Sequence, residues 1–91
     1  MYHDPTEGIR RYAVEVINAE AEGPEADRAR LAKQYGPDNV WDYEEVRGVF
    51  EITGFLAPFC GAIRKADGVK GVLTFQHQPR FYFDFVPDEA R

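Results

Sequence analysis

FCGAIRKADGVKGVLTFQHQPRFYFDF, residues 59–85, decides the fold. Apolar and polar residues alternate through most of it, with the period of a half-buried strand. Ala66-Asp67-Gly68 is a hairpin signal, because Gly accepts the left-handed backbone that tight loops need. Val72 to His77 then reads as the returning strand, and Gln78-Pro79 as a second turn. Phe81, Phe83 and Phe85 alternate with Tyr82 and Asp84 in a last strand that Pro87-Asp88 stops.

Slipping a strand by one residue exchanges its faces, so the loop at Asp67-Gly68 governs which side chains meet. A two-residue loop sets Cys60 opposite Phe75 and on the face of His77. A tight Gln78-Pro79 loop then adds Arg80, Tyr82 and Asp84. Cys60, His77 and Asp84 would outline a nucleophile, a base and an orienting group. A three-residue loop with Gly68 left-handed sets Phe59 opposite Phe75 and Gly61 opposite Leu73 instead. One side then gathers Phe59, Ile63, Leu73, Phe75, Phe81, Phe83 and Phe85. The other gathers Cys60, Arg64, Thr74, Gln76, Tyr82 and Asp84. Burying a Phe contributes about 1.5–3 kcal/mol. The first register strands either the Leu73/Phe75 pair or the Phe triplet, unless both faces are covered. The second register is therefore favoured, and it separates Cys60 from His77.

Upstream, Phe50 and Ile52 alternate with Glu51 and Thr53 until Gly54 and Ala57-Pro58 interrupt. Either a bulge bends one strand there or a turn divides it, and Pro58 argues for a sheet edge. Residues 49–86 are thus expected to form an antiparallel sheet of three to four strands in meander order.

Before Gly48 the period is helical. Residues 4–22 open with Asp4 as N-cap, Pro5 at the first position and Glu7 placed for a capping box. Ile9, Tyr12, Ala13, Val16 and Ile17 form one apolar stripe. A second helix, 24–35, starts at Pro24 and ends at Gly36-Pro37. Its apolar face is thin (Ala29, Leu31, Ala32 and Tyr35), which suggests a peripheral position. A short third helix, 42–47, is signalled by Asp42 with Glu45 three residues on, and Trp41 can staple onto Val46. The expectation is one α+β domain over residues 1–91, with the first helix laying its stripe on the Phe-rich sheet face.

The totals set limits. Cys60 is the sole cysteine in 91 residues, so no internal disulfide is possible, and no Cys/His cluster suggests zinc. His3 has no partner at ligand spacing. No metal or cofactor is expected. Seven Phe, five Tyr and one Trp must supply the core. Ile52 to Ile63 is the longest uncharged apolar run, and Gly54, Pro58 and Gly61 break it well short of a membrane span. No basic region followed by an apolar stretch begins the chain, so a cytoplasmic location is expected. A net charge of −5 argues against direct nucleic-acid or membrane-phosphate binding. Glu20, Glu22, Glu25, Asp27, Asp38, Asp42, Glu44 and Glu45 cluster around helix ends, where capping accounts for several.

Function is ranked by elimination. The aromatic strand Arg80 to Phe85 invites comparison with RNA-binding sheets, but Asp84 would repel phosphate. Nothing beside Cys60 lowers its pKa. The favoured reading is a non-enzymatic protein-interaction or regulatory domain, engaging a protein partner or itself. Its binding face would hold Arg64, Gln76, Tyr82 and Asp84, with His77 and Arg80 on the rim. The alternatives are a small acidic inhibitor of a nucleic-acid-binding partner, and a small-ligand binder or enzyme using Cys60, His77 and Asp84.

Overall fold

Two proline turns and one glycine turn fold residues 50–87 into four consecutive antiparallel strands. The computed structural model describes residues 5–90. In chain order they are α1 (Glu7–Ala19), α2 (Pro24–Tyr35), β1 (Val40–Asp42), α3 (Tyr43–Val49), β2 (Phe50–Leu56), β3 (Phe59–Arg64), β4 (Lys70–Gln76) and β5 (Phe81–Pro87). Short 3-10 turns occupy Pro37–Asn39 and Asp88–Ala90. The α+β class is as expected, but the sheet has five strands in the order β1-β5-β4-β3-β2. The fifth is β1, whose Val40, Trp41 and Asp42 pair with Phe83, Tyr82 and Phe81. Strands β2 to β5 form a meander, whereas β1 joins the far edge from between two helices, so the order is not a strict meander.

The register matches neither of the two expected. Arg64 N–H donates to Val69 O (2.8 Å) and Gly68 N–H to Arg64 O (2.7 Å), closing a four-residue loop with Gly68 at φ 73°. Cys60 therefore lies opposite Leu73, and Phe59 opposite Thr74. The apolar set expected on one face is split between two. Cys60, Leu73 and Tyr82 share one face with Phe50, Ala62 and α3's Val46, while Phe75 packs beside them. Phe81, Phe83 and Val40 meet α2's Leu31 on the other. Between Val72↔Val86 and Thr74↔Phe83 the chain slips, and two β5 residues oppose Leu73 alone. Asp84, at φ 57°, is one of them. Such a bulge turns the next side chain over, so Phe85 leaves Phe81 and Phe83 and packs on Phe50 at 4.8 Å. Gly71 makes room for it: a Cβ there would lie 2.7 Å from the Phe85 ring. Both faces being covered removes the cost that favoured the other register.

The interruption before Pro58 holds a bulge and a turn together. The β2–β3 pairing slips between Ile52 and Gly54, and Ala57-Pro58, a cis peptide, makes a two-residue loop closed by Leu56↔Phe59.

Local signals for α3 hold. Glu45 N–H donates to Asp42 Oδ1 (2.7 Å) and Asp42 N–H to Glu45 Oε1 (2.9 Å), a complete capping box. Trp41 packs on the cluster containing Val46. Asp4 and His3 lie outside the described residues. The N-cap of α1 is Thr6, whose Oγ1 accepts from Arg10 Nε (3.1 Å). Two expectations for the long helices are overturned. α2 is central, with Leu31 and Asp27 fully buried. α1 has no fully buried residue. It spans the strand ends: Arg10 donates to Ala57 O at the β2–β3 turn, and Asn18 accepts from His77 N–H after β4. Of its stripe, Ile17 reaches the α2-side core, while Ile9, Tyr12 and Val16 stay exposed. The sheet face intended for them is already taken by Leu31 and Tyr35, the latter stacked on Phe83 at 4.9 Å.

Candidate functional site

The four residues expected on an open polar face do not form one. Tyr82 is 2% exposed and belongs to the α3-side core. Gln76 is fully buried on the α2 side. Asp84 is taken up by the bulge. Arg64 reaches the Asp67 carboxylate through Nε and Nη2 (2.8–3.1 Å) and lies over the Phe85 ring. The face disappears because α2 and α3 cover opposite sides of the sheet.

Gln76 completes a buried network. Its Nε2 donates to Asp27 Oδ2 (2.9 Å) and Pro79 O (3.0 Å), and its Oε1 accepts from Arg30 Nη2 (2.7 Å). Asp27 also accepts the N–H groups of Glu22 and Gly23, with Arg30 bridging it and Glu20. Burial alone would raise the Asp27 pKa, but these four donors outweigh it and hold the carboxyl below its usual 3.8. Each side-chain polar atom of Gln76 and Asp27 is hydrogen-bonded within the fold, which makes this a clamp between α2 and β4.

The rim pair comes together around Tyr82. Arg80 Nη1 donates to Tyr82 Oη (3.1 Å), and Arg80 Nη2 contacts His77 Nδ1 at 3.1 Å. The guanidinium lies 4.7 Å from the Phe75 ring centroid. His77 is exposed in the loop, whereas Cys60 is 1% exposed among core side chains. Desolvation pushes the Cys60 thiol up to about 11, although Arg80 opposes it. At neutral pH that sulfur is a protonated thiol, a poor nucleophile. Cys60, His77 and Asp84 thus stand in three separate settings.

What the sequence reading missed is an apolar end. Among the described residues, the exposed large apolar side chains are Ile9, Tyr12, Val16, Tyr43, Phe55, Leu56 and Phe59. All but Tyr43 lie on α1 or the β2–β3 hairpin. Ile9 and Tyr12 are 73% and 69% exposed, Phe55 and Leu56 58% and 57%. The Arg10 bond to Ala57 O ties the two elements together. Thr53, Gly54, Leu56, Phe59, Gly61 and Val72 line a groove of about 340 Å³ on the hairpin. The signal was present as the apolar run Ile52 to Ile63, which an assumed single core had absorbed.

The acidic residues occupy the opposite kind of surface. Residues 20–45 carry eight acidic and three basic residues, a net −5 equal to that of the whole chain. Much of this charge is engaged. Arg28 bridges Asp42 and Glu45 and covers the Phe81 ring, while Arg30 holds Glu20 and Asp27. The backbone N–H of Asp42 and the Arg28 guanidinium hold the Glu45 carboxyl below its ordinary pKa. A groove of about 600 Å³ beside it is lined by Pro24, Glu25, Arg28, Tyr43, Glu44 and Phe81, among others.

Among the described residues no three His, Cys, Asp or Glu side chains converge as metal ligands would, and no helix is long and apolar enough to cross a membrane. No protein-family model matches the chain, and no curated protein or solved structure proves similar to it.

Proposed function

We propose that this chain is a non-enzymatic protein-interaction domain that docks through α1 and the β2–β3 hairpin. The observation that carries the reading is the concentration of six large exposed apolar side chains on those two elements. Folded monomers rarely leave apolar patches beyond a few hundred Å² open to water, and larger ones mark contact surfaces. The polar face first considered for this role is replaced, since Gln76 and Tyr82 are buried. The test is affinity capture from the source cell with the wild-type chain and with a Leu56→Thr/Phe59→Thr variant. Partners held by the wild type and lost by the equally stable variant support the reading. Identical capture by both removes it.

A second reading has its own observation, the net −5 confined to residues 20–45. That region would engage a basic surface, as an inhibitor of a nucleic-acid-binding protein does. Pairing of Glu20, Asp27, Asp42 and Glu45 with Arg30 and Arg28 lowers the charge left for such a partner. Binding abolished by high salt would favour it, because exposed charges are screened while apolar contacts persist.

A further inference from the structure

We infer that the occupant of the apolar end is a second copy of this chain, joined edge to edge through β2. The inference rests on the interaction-domain reading and names its partner.

The backbone supplies the first argument. β2 stands at the end of the strand order, so among the described residues one side of its seven residues has no strand beside it. An extended edge is a template for another strand, and natural proteins blunt such edges with charges, Pro, a bulge or a covering element. β2 has a single charge, Glu51, and its bulge is confined to Ile52–Gly54, which leaves the apolar stretch Phe55-Leu56 at its far end. The opposite edge, β1, is three residues long and runs directly into α3, so it offers little to pair with. Antiparallel pairing of β2 with its own copy would extend two five-stranded sheets into one and use both open edges at once.

Charge is the second argument. Residues 50–64 contain one acid, Glu51, and one base, Arg64. The whole net charge lies in residues 20–45, so two copies can meet here with little like-charge repulsion. A foreign peptide of either sign finds no field to select it at this edge.

Sedimentation equilibrium from micromolar to near-millimolar chain tests this. The wild type should approach twice its 10.4 kDa mass, and Phe55→Lys/Leu56→Lys should stay at 10.4 kDa, with a melting temperature equal to that of the wild type at dilutions where both are monomeric. Hydrogen exchange should show β2 amides losing protection on dilution of the wild type. A wild type that is monomeric throughout overturns the inference. So does a dimer that survives the lysines, or one abolished only by Ile9→Gln/Tyr12→Gln. Should the chain be monomeric while Leu56→Thr/Phe59→Thr still loses its captured partners, only the second-copy inference falls. If neither self-association nor selective capture is seen, both fall.

Discussion

At the β1–β5 end the sheet is clad on both faces, and at the tip of the β2–β3 hairpin Phe55, Leu56 and Phe59 lie exposed. The clad region holds Leu31, Tyr35 and Phe83 on one side and Trp41, Val46 and Tyr82 on the other, and reaches the base of the hairpin at Phe50. Arg28 and Arg30 cross-link it to the acidic helix ends. The hairpin end has an apolar edge strand, few charges and α1 attached through polar contacts at its two ends. Stability and exposure are thus divided between regions. A chain of this size buries only about 60–65% of its unfolded surface and has little stability to spare. Leaving six large apolar side chains in water is difficult to explain as folding economy and is consistent with binding.

Breaking the clad end should have the largest effect. Gln76→Ala/Tyr82→Ala removes a core aromatic and leaves Asp27 and Arg30 without their shared partner. Each loss costs several kcal/mol, so far-ultraviolet circular dichroism should report an unfolded chain at 37 °C. Asp27→Ala alone strands the donors of Glu22, Gly23, Gln76 and Arg30. A loss of about 3 kcal/mol, or roughly 15 °C in Tm, is expected by calorimetry.

The same carboxylate sets a pH dependence. Its folded pKa lies below the ordinary value, so the folded state binds the proton less readily than the unfolded chain. Its contribution is complete above the unfolded value and disappears as pH falls through the folded one. The urea midpoint should therefore drop below about pH 4, and that drop should be smaller in Asp27→Asn.

Asp42→Ala sharpens the picture at smaller scale. It removes the capping box of α3 and one Arg28 contact, for about 1–2 kcal/mol by urea titration. Cys60 offers a probe without a stability change. With its pKa at about 11, only about one thiol in ten thousand is ionised at pH 7. Labelling by iodoacetamide should be slow and should track global unfolding; rapid labelling of the native chain would place the thiol outside the core.

The elements were legible because their signals are local. Asp42 with Glu45, Pro24 and Gly36-Pro37 each act over a few neighbours and stand where the pattern put them, and the alternating Phe residues mark β5 as a strand, although Phe85 leaves their face. β1 was not legible, since three residues show no period. The register failed for a physical reason too. The loop takes four residues, and a non-glycine at φ 57° turns Phe85 over, which no alternation rule anticipates. The candidate site suffered most, because one misplaced register made Gln76 and Tyr82 look open. The orientation of α1 depended on α2 occupying the sheet first, a tertiary outcome beyond helical periodicity.

Urea unfolding of the variant Ile9→Gln/Tyr12→Gln/Leu56→Thr/Phe59→Thr, at chain concentrations low enough to keep all species monomeric, bears most directly on this division. The replacements keep helix and strand propensity while removing the apolar surface. Unfolding free energy should stay within about 0.5 kcal/mol of the wild type. A loss of more than about 2 kcal/mol would mean these side chains hold the fold together, and the docking surface would not exist.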